Sequence, residues 1–184
     1  MNVLERCSLA KNPETTSEQL DRFTEKHEFS ASVRYSVAQN PKLSYASQIA
    51  MAVDDDVYVR RAIYSQADLS AEILGELGLD DEDEIVRRLV AGHPNAFLNT
   101  LLRLANDKEE LVRATVAGHP RATPELLASL AVREDVPLVK DKNVQVRYAV
   151  AKNPKCPTKT LILLIQDPAG YVAEAARTVE RFLY

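Results

Sequence analysis

One phrase recurs along this chain: Val-Arg, a run of small apolar residues, then Asn-Pro or His-Pro, with the Pro seven residues after the Arg. It stands at Val33-Arg34 to Pro41, Val86-Arg87 to Pro94, Val112-Arg113 to Pro120 and Val146-Arg147 to Pro154. A copy at Val59-Arg60 lacks its Pro, and a leading copy runs from Arg6 to Pro13. Self-similarity at a period of a few tens of residues is the mark of a solenoid, in which each unit buries its apolar face only against its neighbours. Successive arginines (Arg6, Arg34, Arg60, Arg87, Arg113 and Arg147) lie 28, 26, 27, 26 and 34 residues apart. That range suits two short helices and their turns, so the expected fold is an all-α solenoid of six to seven two-helix repeats.

The slots of the repeat define both helices. Val33, Val59, Val86, Val112 and Val146 stand eight before the Pro slot; Leu9, Val37, Ile63, Val90, Val116 and Val150 stand four before it. Ala10, Ala38, Tyr64, Ala91, Ala117 and Ala151 follow, giving an i, i+4, i+5 stripe on one side of a helix. Pro then ends that helix, lacking an N–H and biasing the preceding residue away from helical angles. A second helix begins at signals such as Thr123-Pro124-Glu125, Thr16-Ser17-Glu18, Ser44 and Ser70. Its core stripe is expected at Leu20, Leu74, Leu101, Leu127 and Leu161, and again at Phe23, Met51, Leu77, Leu104, Leu130 and Leu164; Gln48 is out of pattern, with Ile49 beside it. The repeats fall near 4–30, 31–56, 57–83, 84–109, 110–142 and 143–170, with a capping segment at 171–184, and are expected to form one domain over 1–184.

An acid stands six residues before most of the arginines. Glu28 precedes Arg34, Asp54 precedes Arg60, Asp81 precedes Arg87, Asp107 precedes Arg113 and Asp141 precedes Arg147; Asp167 precedes Ala173, where the base is lost. An Arg fork can bond a carboxylate and a neighbouring carbonyl together, so these residues are expected to form a structural ladder along the stack. The competing reading is a row of arginines that grips phosphates.

Val-Arg, Ala-Val-Ala, Asn-Pro, the Pro-capped second helix with Leu-x-x-Leu and the Asp at the turn together resemble the leucine-rich repeat variant family, related in form to HEAT repeats. The resemblance covers residues 4 to 182 and implies a right-handed superhelix of paired short helices. Some members carry a cysteine-rich iron–sulfur segment ahead of the repeats; this sequence has no cysteine cluster, so no cofactor is carried over.

Chemistry is harder to find. His93 and His119 share the slot before Pro with Asn12, Asn40 and Asn153. Equivalent points on stacked helices lie about 8–10 Å apart, too far for two ligands to share one zinc at about 2 Å. Hydrogen bonding to turn backbone is the expected role, and His27 reads as a loop residue. No nucleophile elbow, zinc-protease helix or phosphate loop is present, so no enzyme activity is expected. The run Asp80-Asp81-Glu82-Asp83-Glu84 lacks the spacing of a calcium loop and reads as a solvated turn.

Two features are candidates for binding. The residue after each ladder Arg, with the one four further on, changes from copy to copy: Cys7/Lys11, Tyr35/Gln39, Arg61/Ser65, Arg88/Gly92, Ala114/Gly118 and Tyr148/Lys152. Such i, i+4 pairs share a helix face and would align into a stripe; Tyr and Arg often dominate interface energy, although an exposed face with no partner would vary as freely. The other candidate is the eight-residue excess near Arg133 to Lys140, which carries Val136, Leu138 and Val139 with a basic rim and either forms a contact loop or folds back on its own repeat.

Net charge is only −4, yet residues 1–111 carry 12 Lys and Arg against 20 Asp and Glu, while residues 112–184 carry 11 against 7. The expected partner is a protein or peptide; nucleic acid, on a HEAT-like solenoid related in form to DNA glycosylases, is the alternative, weakened by the absence of Trp and the acidic first half. Neither a basic leader nor a membrane-length apolar run is present, and Cys7 and Cys156 are too few for a disulfide framework, so a cytosolic protein with two free thiols is expected.

Overall fold

The computed structural model describes residues 1–25, 29–131 and 141–180. Among them every regular element is helical, as the repeat predicts: α1 (Val3–Lys11), α2 (Ser17–Arg22), α3 (Ala31–Ala38), α4 (Tyr45–Ala52), α5 (Val57–Tyr64), α6 (Ala71–Ile73) running on into a π-helical turn at Leu74–Gly78, α7 (Glu84–Gly92), α8 (Leu98–Leu104), α9 (Glu110–Gly118), α10 (Pro124–Ala131), α11 (Val144–Lys152), α12 (Thr158–Leu164) and α13 (Gly170–Glu180). α3, α5, α7, α9 and α11 carry the Val-Arg phrase, α1 and α13 hold the same place with Glu5-Arg6 and Val172-Ala173, and the even-numbered helices follow the Pro slot.

The chain divides into two compact units, Met1–Asn95 and Ala96–Tyr184. In the first, α1, α3, α5 and α7 pack in succession, with α2 against α4. In the second, α9, α11 and α13 do the same, with α10 against α12. Each unit is therefore two layers, a row of first helices backed by a row of second helices.

The apolar slots build the space between those rows. Val33, Val37, Val59, Ile63, Val86, Val90, Val112, Val116, Val146 and Val150 are buried, as are Leu20, Leu74, Leu101, Leu127 and Leu161 of the second helices. Each contributes about 1.5–3 kcal/mol when removed from water. A further buried slot lies two residues after the Pro position, held by Thr15, Leu43, Leu69, Ala96, Ala122 and Cys156. Both cysteines are free thiols; burial pushes the Cys156 thiol up to about 12.

Caps begin the second helices where the sequence places them. The side chains of Thr16, Ser44 and Ser70 accept from the amides of Gln19, Ser47 and Ile73, and Thr123 accepts from Leu126. In α13 Val172, Ala173 and Ala176 are buried, and Glu174 and Arg177 are exposed.

The expected core is missed at Leu9 and Ile49, both only half-buried, and most clearly in the repeat of α6. Leu77 is only half-buried, whereas Gly78 and Leu79 are buried, because the π turn shifts the second helix by one residue. Tyr64 fills the slot that Ala holds in every other copy, and it is fully buried. A Cβ on Gly78 would lie 2.5 Å from both Tyr64 Cε1 and Val90 Cγ2, so the backbone can approach this large side chain only as glycine.

Candidate functional site

The first-helix rows are stitched at both ends by side chains. At the N-terminal end Arg34, Arg60, Arg113 and Arg147 each bond the carboxylate of one turn and the carbonyl of another. Arg34 donates through Nε and Nη2 to both carboxylate oxygens of Asp54, at 2.7 and 3.0 Å, and through Nη1 to the Phe29 carbonyl. Arg60 binds Asp81 in the same fork, at 2.8 and 3.2 Å, while its Nη1 donates to the carbonyl of Asp54. Arg113 joins Asp141 to the Asp107 carbonyl, and Arg147 joins Asp167 to the Asp141 carbonyl. Arg87 donates to the carbonyls of Asp81 and Glu82.

Asp54, Asp81 and Asp141 thus each offer a carbonyl to their own Arg and a carboxylate to the Arg of the preceding repeat. This specifies the expected ladder by showing which acid each Arg bonds, a choice the spacing leaves open. It also accounts for Asp167, kept although Ala173 has replaced the base: its carboxylate holds Arg147. Hydrogen bonding to Asp141 raises the Arg113 guanidinium further above its ordinary range. Burial pushes the Asp141 carboxyl up, but the bonds from Arg113 and the Asn143 amide, with the charges of Arg113 and Arg147, outweigh it and hold the group low.

The same aspartates also set the start of the next helix. Oδ1 of Asp54, Asp81, Asp107, Asp141 and Asp167 accepts the amide two residues on. At Asp56, Asp83 and Asn143 that next residue is itself a side-chain cap. The acidic run at 80–84 is accordingly not wholly a solvated turn: Asp81 holds Arg60, and Asp83 caps α7 while binding Arg61 at 2.9 and 2.7 Å. Hydrogen bonding to Arg61 holds the Asp83 carboxyl below the usual range. The signal, Asp-x-Asp or Asp-x-Asn just ahead of the Val-Arg helix, was present in the sequence.

At the C-terminal end the slot before Pro forms a second ladder. Asn40 donates to the carbonyls of Ala10 and Asn12 and accepts from the Lys42 amide. Asn153 repeats the pattern on Ala117, His119 and Lys155. Gln66, where Pro is missing, donates to Ala38. In His93 the Asn95 amide donates to Nδ1 at 3.1 Å and Nε2 meets the Gln66 carbonyl at 2.7 Å, which puts the ring proton on Nε2. The expected turn bonding is found, and it extends to the previous repeat, satisfying carbonyls that a helix end leaves unpaired.

Between the two ladders lies the variable face. Tyr35 is exposed and accepts from Gln39 at 3.1 Å; Arg88 is exposed on α7. Arg61, by contrast, is committed to Asp83 and lies 5.5 Å from the exposed Tyr58 ring. In the second unit Tyr148 meets Tyr171 edge to face at 5.4 Å, and Lys152 Nζ lies 5.6 Å from the Tyr148 ring. Tyr58, Leu111 and Tyr171, two residues before the ladder position, are exposed on the same helices and were not anticipated; an apolar residue three before each variable one is the i, i+3 signal that points to them. Val136 and Leu138, with Arg133 to Lys140 and His27, lie outside the described residues. No three metal-binding side chains gather among the described residues, and no helix there is long and apolar enough to cross a membrane.

No family model and no curated protein matches this chain. Among solved structures it is similar to one described as a leucine-rich repeat variant with a novel repetitive protein structural motif, at 25% identity and a TM-score of 0.73 over 97% of the chain. The chain spans 66% of the length of that structure. Its fold is that of a leucine-rich repeat variant.

Proposed function

We propose that this repeat fold is a non-enzymatic cytosolic scaffold that binds a protein or peptide on the exposed face of its first helices. One observation carries the reading: the recurrent polar residues are spent on the two ladders, whereas the face between them presents a different pair of side chains at each repeat. Arg34, Arg60, Arg113 and Arg147 each use their fork on a carboxylate and a carbonyl, which leaves little to grip a phosphate row. Tyr35, Arg88, Tyr58 and Tyr171 remain exposed, with the residue types that anchor interfaces.

The test is display selection against libraries of random peptides and of protein fragments, repeated with the variant Tyr35→Ala, Arg88→Glu, Tyr148→Ala. Binders that weaken at least tenfold on the variant, whose thermal melt matches wild type, are the expected result. Selected binders indifferent to the variant overturn the reading. Retention of duplex DNA at physiological salt, lost steeply as salt rises, would favour the nucleic-acid alternative.

A further inference from the structure

On α9, α11 and α13 of the second unit the exposed face has a composition of its own. Leu111 and Tyr171 are about half exposed, at 46% and 49%. Tyr148 stands between them in the row, its ring braced against Tyr171 at 5.4 Å. On α9 the neighbouring positions are Ala114 and Gly118, and a Cβ built on Gly118 meets no atom within 4 Å. Bulky apolar side chains therefore flank a low stretch of helix open to solvent.

Three cations stand at the adjoining edge, while the exposed Glu174 of α13, in the slot of Tyr148, pairs with Arg177 at 3.5 Å. Lys152, the last residue of α11, has its ammonium over the Tyr148 ring, and Lys155 and Arg121 follow in the turns after α11 and α9. Lys155 donates to the Pro120 carbonyl at 2.6 Å and Arg121 to the Ala96 carbonyl at 3.2 Å, so both cations are held at this edge with no carboxylate bonded to them in either contact. Asp141 and Asp167 sit at the opposite end of the helices, with their carboxylates on Arg113 and Arg147.

We infer that this face takes an extended acidic peptide, seating one aromatic or large aliphatic side chain over Ala114 and Gly118 against Leu111 and Tyr148, with its carboxylates meeting Lys152, Lys155 and Arg121. Apolar flanks supply the burial, and the cationic edge selects the flanking charge and speeds encounter. This inference rests on the scaffold reading and names the partner's chemistry.

Three fluorescein-labelled decapeptides test it by anisotropy on the full chain: two Phe in an Asp/Glu background, the same Phe in a Lys background, and the acidic background with Ser in place of Phe. The expected result is binding of the first alone, weakened at least tenfold by Lys152→Glu and by Gly118→Leu, both of which retain the wild-type melt. Equal binding of acidic and basic peptides, or indifference to Lys152→Glu, overturns it. Random-peptide selection on the same protein separates the two levels. Binders lost on Tyr35→Ala, Arg88→Glu but kept on Lys152→Glu, Tyr148→Ala leave the scaffold standing and remove this inference; binders sensitive to neither pair remove both.

Discussion

Truncating Asp54 is the sharpest probe of the ladder. Its side chain is 0% exposed and that of Arg34 is 8% exposed. Asp54→Ala removes two fork bonds, at 2.7 and 3.0 Å, and the acceptor of the Asp56 amide, at 2.9 Å. Arg34 is left as a buried cation on a single carbonyl, that of Phe29. Breaking a buried pair from one side costs about 3–5 kcal/mol, because the remaining charge loses its partner. At about 2–4 °C per kcal/mol for a chain of this size, the melt should fall by about 6–20 °C. Arg34→Met with Asp54→Leu removes both charges and keeps apolar volume, so it should cost less than Asp54→Ala alone. The assay is urea and thermal denaturation followed by far-UV circular dichroism for wild type, both single truncations and the double replacement. Across rungs the cost should fall with exposure, from Arg34–Asp54 and Arg147–Asp167 to Arg113–Asp141, where the exposures are 18% and 12%. A loss below about 1 kcal/mol for Asp54→Ala, as for an exposed surface pair, refutes the reasoning. So does a double replacement as costly as the sum of the single ones.

Other outcomes follow from the same geometry. His93→Asn should hold its melt within about 1 kcal/mol because Asn does the same work at Asn40 and Asn153, whereas His93→Leu should lose about 1–3 kcal/mol by stranding the Gln66 carbonyl and the Asn95 amide. Gly78→Ala should cost about 1–3 kcal/mol through overpacking, and less when Tyr64 is also Ala; equal costs on both backgrounds would break the link between the two residues. For the low-lying carboxyl of Asp141 the folded value is below the unfolded one, so its stabilisation is present above the ordinary carboxylate range, near 4, and is lost as pH falls through the folded value. Arg113→Gln should shrink that acid-dependent loss in melts taken from pH 7 to pH 3. At pH 8 a thiol reagent should modify the half-buried Cys7 and leave Cys156, pushed up to about 12 by burial, until urea unfolds the chain; equal rates for the two thiols would contradict its burial.

The two-helix repeat was legible because its slots are repeated: five full copies of one i, i+4, i+5 stripe, and a sixth without its Val, average out single exceptions such as Tyr64. The pairing of Arg and Asp was legible only in part. In a periodic sequence an acid six before one Arg is also 20 or 21 after another, as with Asp54 and Arg34 or Asp81 and Arg60, and spacing alone does not choose between them. Side-chain reach decides it, giving the carboxylate to the preceding repeat and the carbonyl to its own. The π turn at Leu74–Gly78 was illegible for a different reason. Leu77 keeps the period, so nothing local marks the one-residue shift; what accompanies it is the close approach of Gly78 to Tyr64, 14 positions away. In the candidate surface, Tyr35, Arg88, Tyr148 and Lys152 were found as changes between copies. Arg61 looked equivalent to them until Asp83 was placed beside it.

The rungs fix where one repeat must meet the next, but they do not fix how much chain lies between. Arg34 reaches Asp54 across 20 residues and Arg113 reaches Asp141 across 28, yet the two forks close at the same 2.7 and 3.0 Å. At four rungs plug and socket follow one standard pattern, so whole copies built this way can be duplicated, deleted or lengthened at the second-helix end without any neighbour having to change. A lineage built this way can explore new lengths and new loops by recombination alone, leaving point mutation to work on the face where the copies already differ.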